Sequence, residues 1–236
     1  HELPHIWGRS VETIFIGGGT PSLFQAASID KLLAGIRARV RLLPNAEITM
    51  EANPGTFERE RFAGFAAAGV NRLSLGVQSF QPEHLQALGR IHDDKQAMTA
   101  IEAACKLFPR FNVDLMYALP KQSIEQAVRD VQTAIDLGAP HISAYQLTLE
   151  PNTAFGHTPP KNLPDDDTLI DIEEAVHATL LQAGFNRYET SAFNRDGLPC
   201  RHNVNYWQFG DYIGIGAGAH GKISYHDKIE RTVRVR

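Results

Sequence analysis

Phe111-Asn-Val-Asp-Leu-Met116 leads into Ser123-Ile-Glu-Gln-Ala-Val-Arg-Asp-Val-Gln-Thr-Ala-Ile-Asp-Leu137, and that into His141-Ile-Ser-Ala-Tyr-Gln-Leu147. The outer runs are short and rich in apolar residues, as strands are; the middle run repeats its apolar residues at helical spacing. Ser123 stands where an N-cap is wanted, and Gly138 where the helix must stop. Strand, helix, strand in this order means two parallel strands joined by a right-handed crossover.

The same alternation extends both ways. Residues 13–17, 47–51, 71–77 and 186–190 read as further buried strands, and residues 28–41, 58–67, 95–107 and 165–183 as helices. Ser28 and Asp165 are N-cap candidates, and Gly69 and Gly184 are helix stops. The chain has 236 residues, close to the roughly 250 of a parallel barrel, so one large α/β unit is expected: a partial parallel (βα) barrel over residues 1–192. Residues 193–236 form a β-rich C-terminal extension, because residues 222–236 alternate like a hairpin. Residues 150–164 and 193–205 are the long irregular stretches, a length that is usually functional or mobile.

Each strand delivers something polar, or bare backbone, to its carboxyl end. Residues 13–16 run into Gly17-Gly18-Gly19-Thr20-Pro21, residues 48–50 into Glu51-Ala-Asn53-Pro54 and residues 73–77 into Gln78-Ser79; Asp114 and Gln146 fall in the fourth and fifth strands. Singly, each has a structural alternative: glycines for a tight turn, a Glu capping the next helix, an Asp paired with a core Arg. Together, at the end of a parallel barrel where ligands gather, they point to one shared site. Backbone without Cβ can approach a ligand closely. Glu51, Asp114, Gln78 and Arg90 supply acceptors and donors that suit a ligand bearing an ammonium, a carboxylate and ribose hydroxyls. An amino-acid-bearing nucleoside meets that description, whereas two carboxylates would repel a bare phosphate.

Composition narrows the classes. Net charge is −4 and no basic stripe exists; Arg231, Arg234 and Arg236 make at most a weak patch, so nucleic acid is not an expected partner. No apolar run approaches the ~18 residues of a membrane span and no secretory signal opens the chain, so a soluble cytoplasmic protein is expected. Cys105 and Cys200 are neither a disulfide framework nor a metal cluster. Gly216-Ala-Gly-Ala-His-Gly-Lys222 mimics a phosphate-binding loop, but Ile223 replaces the required Ser or Thr and no helix follows.

The strand-end motifs, Gly17-Gly-Gly-Thr-Pro, Glu51-Ala-Asn-Pro-Gly, Gly76-Val-Gln-Ser-Phe with Arg90 downstream, and Asp114-Leu-Met-Tyr-Ala-Leu-Pro, resemble the radical S-adenosylmethionine (SAM) barrel of oxygen-independent coproporphyrinogen III oxidases and their relatives. The resemblance covers nearly the whole chain. It implies that Gly18, Gly19 and Thr20 lie near the amino-acid part of SAM, with Glu51, Gln78, Arg90 and Asp114 around the rest of it or around a second SAM. His202-Asn203-Val-Asn-Tyr206-Trp207 further resembles the HNxxYW signature of HemW-type haem chaperones. Read alone, that segment is better taken as a loop whose aromatics pack under the barrel while His202 hydrogen-bonds. The resemblance implies instead that His202, Asn203, Tyr206 and Trp207 contact haem, the ring faces matching a porphyrin; it leaves open whether His202 is the iron ligand.

One departure is large. The family holds a [4Fe–4S] cluster on a CxxxCxxC loop after the first strand, and this sequence has none. The chain opens at His1 near the end of what should be the first helix, so the first strand and cluster cysteines are expected upstream of residue 1 of an intact protein; a relative without a cluster is the alternative. No radical chemistry is expected of the chain as it stands. The resemblance then implies haem delivery to haem-requiring membrane enzymes such as respiratory oxidases or reductases, with a homodimer left open. The rival readings are a coproporphyrinogen III dehydrogenase and an unrelated barrel hydrolase or isomerase using Glu51 and Asp114 as acid and base.

Overall fold

The computed structural model describes residues 3–55, 58–151 and 153–234. Its elements run β1 (Ser10–Ile16), α1 (Ala26–Arg37), β2 (Arg41–Ala52), α2 (Glu58–Ala68), β3 (Arg72–Gln78), α3 (Pro82–Ala87), α4 (Asp94–Leu107), β4 (Arg110–Tyr117), α5 (Ile124–Asp136), β5 (His141–Gln146), α6 (Ala154–His157), α7 (Asp166–Gln182), β6 (Asn186–Arg187), β7 (Ala192–Asn194), α8 (Arg201–Trp207), β8 (His220–Ser224) and β9 (Ile229–Val233). β1 to β5 lie side by side in chain order, every pair parallel.

The strands alternate strictly. Ile48 and Met50, Leu73 and Leu75, Phe111 and Val113, and Ile142 and Ala144 face outward, where Phe62 and Phe65 of α2, Ile101 of α4, Val131 of α5 and Val176 of α7 bury them. The intervening residues, Glu47, Thr49, Glu51, Arg72, Ser74, Asn112, Asp114, His141, Ser143 and Tyr145, share the other face, which is polar. Register brings Glu51 beside Ser74, and Asp114 beside Gly76 and Ser143. Phe15 of β1 and Ser143 of β5 line one small cavity, although four strand spacings of ~4.8 Å would set them about 19 Å apart in a flat sheet. The sheet therefore curls, and its polar face lines the inside.

Most expected elements are present, and Ser123 and Asp165 cap α5 and α7 as expected. Ser28 does not cap α1, which begins at Ala26 after Gln25; the Ser28 amide already bonds to Gln25. The first helix ends at Arg37, and Arg41 opens β2, whose irregular pairing between Leu42 and Glu47 accommodates Pro44, a residue without an amide to give a sheet ladder. The expected parallel strand at 186–190 is replaced. Only Asn186 and Arg187 are in β6, both exposed, and the place beside β5 goes to β7, which runs antiparallel and spans the point where we divide barrel from extension. The reason is burial: Phe193, beside Ile142, fills the outer core while Ala192, beside Ser143, is buried on the inner face, which the exposed Asn186 and Arg187 cannot match. The irregular stretch 193–205 contains α8, and β8 with β9 forms the expected hairpin. Arg236 of the basic tail lies outside the described residues.

Candidate functional site

A cleft of about 230 Å³ opens at the carboxyl ends of β2 to β5, lined by Gly19, Thr20, Glu51, Gln78, Arg90 and Asp114, with Asn53, Gly76 and Tyr145 among them. Six of the seven strand-end residues thus meet in one place. The seventh, Gly18, donates its amide to Glu51 Oε2 at 3.0 Å, and Gly18 and Gly19 both take the left-handed backbone the turn requires. A Cβ on Gly17 would come within 3.0 Å of Glu51 Oε2, and one on Gly76 within 2.7 Å of Asn53 Oδ1. These two glycines keep the cleft open.

Gln78 ends β3 with φ +70° and is buried; Tyr145 Oη donates to its Oε1 at 2.9 Å. The chain then makes an excursion through α3 and returns. Asp130 of α5 holds the way out, accepting from Ser79 Oγ at 2.6 Å and from the Phe80 amide at 2.9 Å. His92 Nε2–H holds the way back, bonded to the Val77 carbonyl at 3.0 Å. Arg90, between them, reaches Asn53 Oδ1 at 3.4 Å.

Both carboxyl groups of the cleft are harder to ionise than usual. Burial raises Asp114, against hydrogen bonds from Ser74 Oγ at 2.9 Å and Asn112 Nδ2 at 2.8 Å. Burial also raises Glu51, with the Gly18 amide opposing and Asp114 adding to the effect. Burial holds the Tyr145 phenol well above its ordinary range, so it remains a donor.

Beneath the cleft lies a polar floor. Arg110 pairs with Glu47 at 2.7 Å, and the other oxygen of Glu47 accepts the amides of Arg201 and His202 at 2.9 and 3.3 Å, seating α8 about 13 Å down β2 from Glu51. A chain of bonds runs from Asp114 through Asn112 to His141 Nδ1 at 2.7 Å, then from His141 Nε2 to Tyr188 Oη at 2.8 Å. Tyr188 Oη in turn accepts from the Cys200 amide and Asn203 Nδ2.

The HNxxYW residues sit on this side, apart from the cleft. The His202 ring stacks on Phe15 with centroids 4.7 Å apart, and burial lowers its pKa. Neither of its ring nitrogens has a hydrogen bond among the described residues, unlike the packed, hydrogen-bonded reading. Tyr206 meets His202 edge-on and lies beside Tyr212; Trp207 donates Nε1–H to Glu189 at 3.2 Å and is 61% exposed. Gln146 does not reach the cleft, because the period of two turns Tyr145 inward. Alternation in β2 to β5 was the available signal for Tyr145, Ser74, Asn112 and Arg72.

A curled parallel sheet with helices outside and glycine-bounded carboxylates at its strand ends defines a class, and the radical SAM superfamily model matches residues 2–134. The chain belongs to the radical SAM superfamily. More particularly, it is 55% identical over its whole length to Heme chaperone HemW of Escherichia coli, covering 63% of that protein, and 54% identical over 92% of its length to Heme chaperone HemW of Haemophilus influenzae, covering 57%. It therefore spans about three fifths of these curated relatives. Among solved structures, coproporphyrinogen III oxidase (HemN) from Escherichia coli matches 94% of this chain and 54% of its own, at 26% identity and a TM-score of 0.81. The unrelated barrel hydrolase reading falls with the family assignment.

Proposed function

We propose that the intact protein binds haem and delivers it, in the cytoplasm, to haem-requiring membrane enzymes such as respiratory oxidases or reductases, with SAM in the strand-end cleft. The observation that carries this is the 55% identity, over the whole length of the chain, to a protein named Heme chaperone HemW. The residues assigned to haem are His202, Asn203, Tyr206 and Trp207. Tyr206 and Trp207, 45% and 61% exposed, offer the flat apolar surface a porphyrin needs. No helix among the described residues is long and apolar enough to cross a membrane.

The donor set of the cleft suits SAM, and Gly17 and Gly76 stand where a Cβ would crowd Glu51 and Asn53. Glu51, Gln78, Arg90 and Asp114 with the backbone of Gly18, Gly19 and Thr20 would hold it. When bound, SAM supplies a sulfonium open to reductive cleavage. The chain's own part is to accept the ammonium and hydroxyl protons at Glu51 and Asp114, and to keep Gln78 oriented through Tyr145. The residues present do not fit the [4Fe–4S] cluster: Cys105 is exposed on α4, and buried Cys200 lies beside Glu47, leaving too few thiolates. No step is derived through it.

The 0.81 TM-score to coproporphyrinogen III oxidase favours a second reading, a coproporphyrinogen III dehydrogenase. Full-length protein separates them. Stable haem uptake, read by absorbance and weakened at least tenfold by Tyr206→Ala with Trp207→Ala, is expected, with no protoporphyrinogen formed from coproporphyrinogen, SAM and reductant. Turnover without haem uptake would reverse the choice.

A further inference from the structure

Below the cleft, a second cavity of about 220 Å³ shares Glu51, Ser74, Asp114 and Tyr145 with it and reaches down to Arg72. The other polar side chains of its wall are bonded to one another or to residues behind it. Asn112 donates to Ser74 Oγ and Asp114 and accepts from His141 and Ser143; Tyr145 donates to Gln78, Glu51 takes the Gly18 amide, and Asn203 bonds to Tyr188. Arg72 is the exception. It is 2% exposed, its Nε lacks any partner, and its guanidinium makes no hydrogen bond or ion pair with the described residues. A guanidinium is always charged and carries five donors, and burying it without an acceptor is costly.

We propose that this cavity is a carboxylate-binding compartment in which Arg72 anchors the acid group of a small organic acid. A planar carboxylate matches the fork of the guanidinium and would satisfy the donors the fold leaves open. The two acidic side chains higher on the wall disfavour a multiply charged anion and select a monoanion. The volume, about seven times the share of one water in the liquid, admits an acid of a few heavy atoms and no tetrapyrrole. The wall shares Glu51 and Asp114 with the SAM assignment and Asn203 with the haem assignment, but the anchor, Arg72, belongs to neither.

Propionate and its neutral isostere propionamide test it, titrated calorimetrically into full-length protein. Propionate should bind one to one, with propionamide at least tenfold weaker. Arg72→Met should lose propionate at least tenfold and Arg72→Lys retain part of it. Ser143→Val, which narrows the cavity from β5 and leaves Arg72 in place, should also weaken it, and it carries the test if circular dichroism shows Arg72→Met unfolded. No binding by the wild type, equal binding of the two compounds, or propionate affinity unchanged in the folded variants would overturn the proposal. SAM titrations on the same samples are read separately, so loss of the SAM reading leaves this one standing.

Discussion

His141 shows how one side chain can be committed to a single protonation state. Asn112 Oδ1 needs Nδ1 to donate, and Tyr188 Oη, already accepting from the Cys200 amide and Asn203, gives its proton to Nε2. That is the bonding of neutral imidazole. Burial, with Arg72 and Arg110 nearby, lowers the pKa of His141 well below the ordinary value. Its folded pKa lies below its unfolded one, so the unfolded chain binds the extra proton and stability falls as pH drops through about 6.5. At pH 7 His141→Gln should cost about 1–3 kcal/mol for the buried bonds it breaks. Below pH 6 the gap to wild type should close by up to about 1.4 kcal/mol per pH unit. Urea unfolding of both proteins at pH 7.5 and 5.5 measures this, and a gap independent of pH would contradict it.

At the scale of elements, the excursion from β3 through α3 to α4 carries two cleft residues that the strand alone could not present. Strand geometry places Gln78, but Arg90 is brought back only because Asp130 and His92 pin the two ends. Asp130→Ala leaves the Ser79 hydroxyl and Phe80 amide without a buried acceptor, at about 2–3 kcal/mol. It should also raise the SAM dissociation constant roughly tenfold, although Asp130 does not line the cleft. Asp130→Asn, which still accepts one bond, should recover part of both; calorimetric SAM binding in the folded variants decides. The same scale shows where local reading stops. Gly17 to Pro21, Glu51 and Gln78 were legible because each follows its strand directly. Gly76 and Tyr145 were legible only by counting alternation, and Asp130 not at all, since it acts from a helix 50 residues on.

Across the whole molecule, the bonds from Asp114 through Asn112 and His141 to Tyr188 join the SAM-type cleft to α8. Tyr188→Phe removes the oxygen on which His141, Cys200 and Asn203 converge. It should lower the unfolding free energy by about 1–3 kcal/mol and weaken SAM binding several-fold from outside the cleft. Unchanged SAM affinity in folded Tyr188→Phe would mean that the chain of bonds does not couple the two regions. The sequence by itself determined the order of strands and helices, their parallel sense and the end at which the cleft opens. Periodicity, chirality and glycine turns are local and need no distant partner. Only the tertiary structure decided that Ala192 and Phe193, not residues 186–190, complete the sheet, that Glu47 seats α8, and that Arg72 is left facing a cavity without an acceptor. Those outcomes depend on how far the sheet curls, which sets which side chains from opposite ends of the chain come within bonding distance.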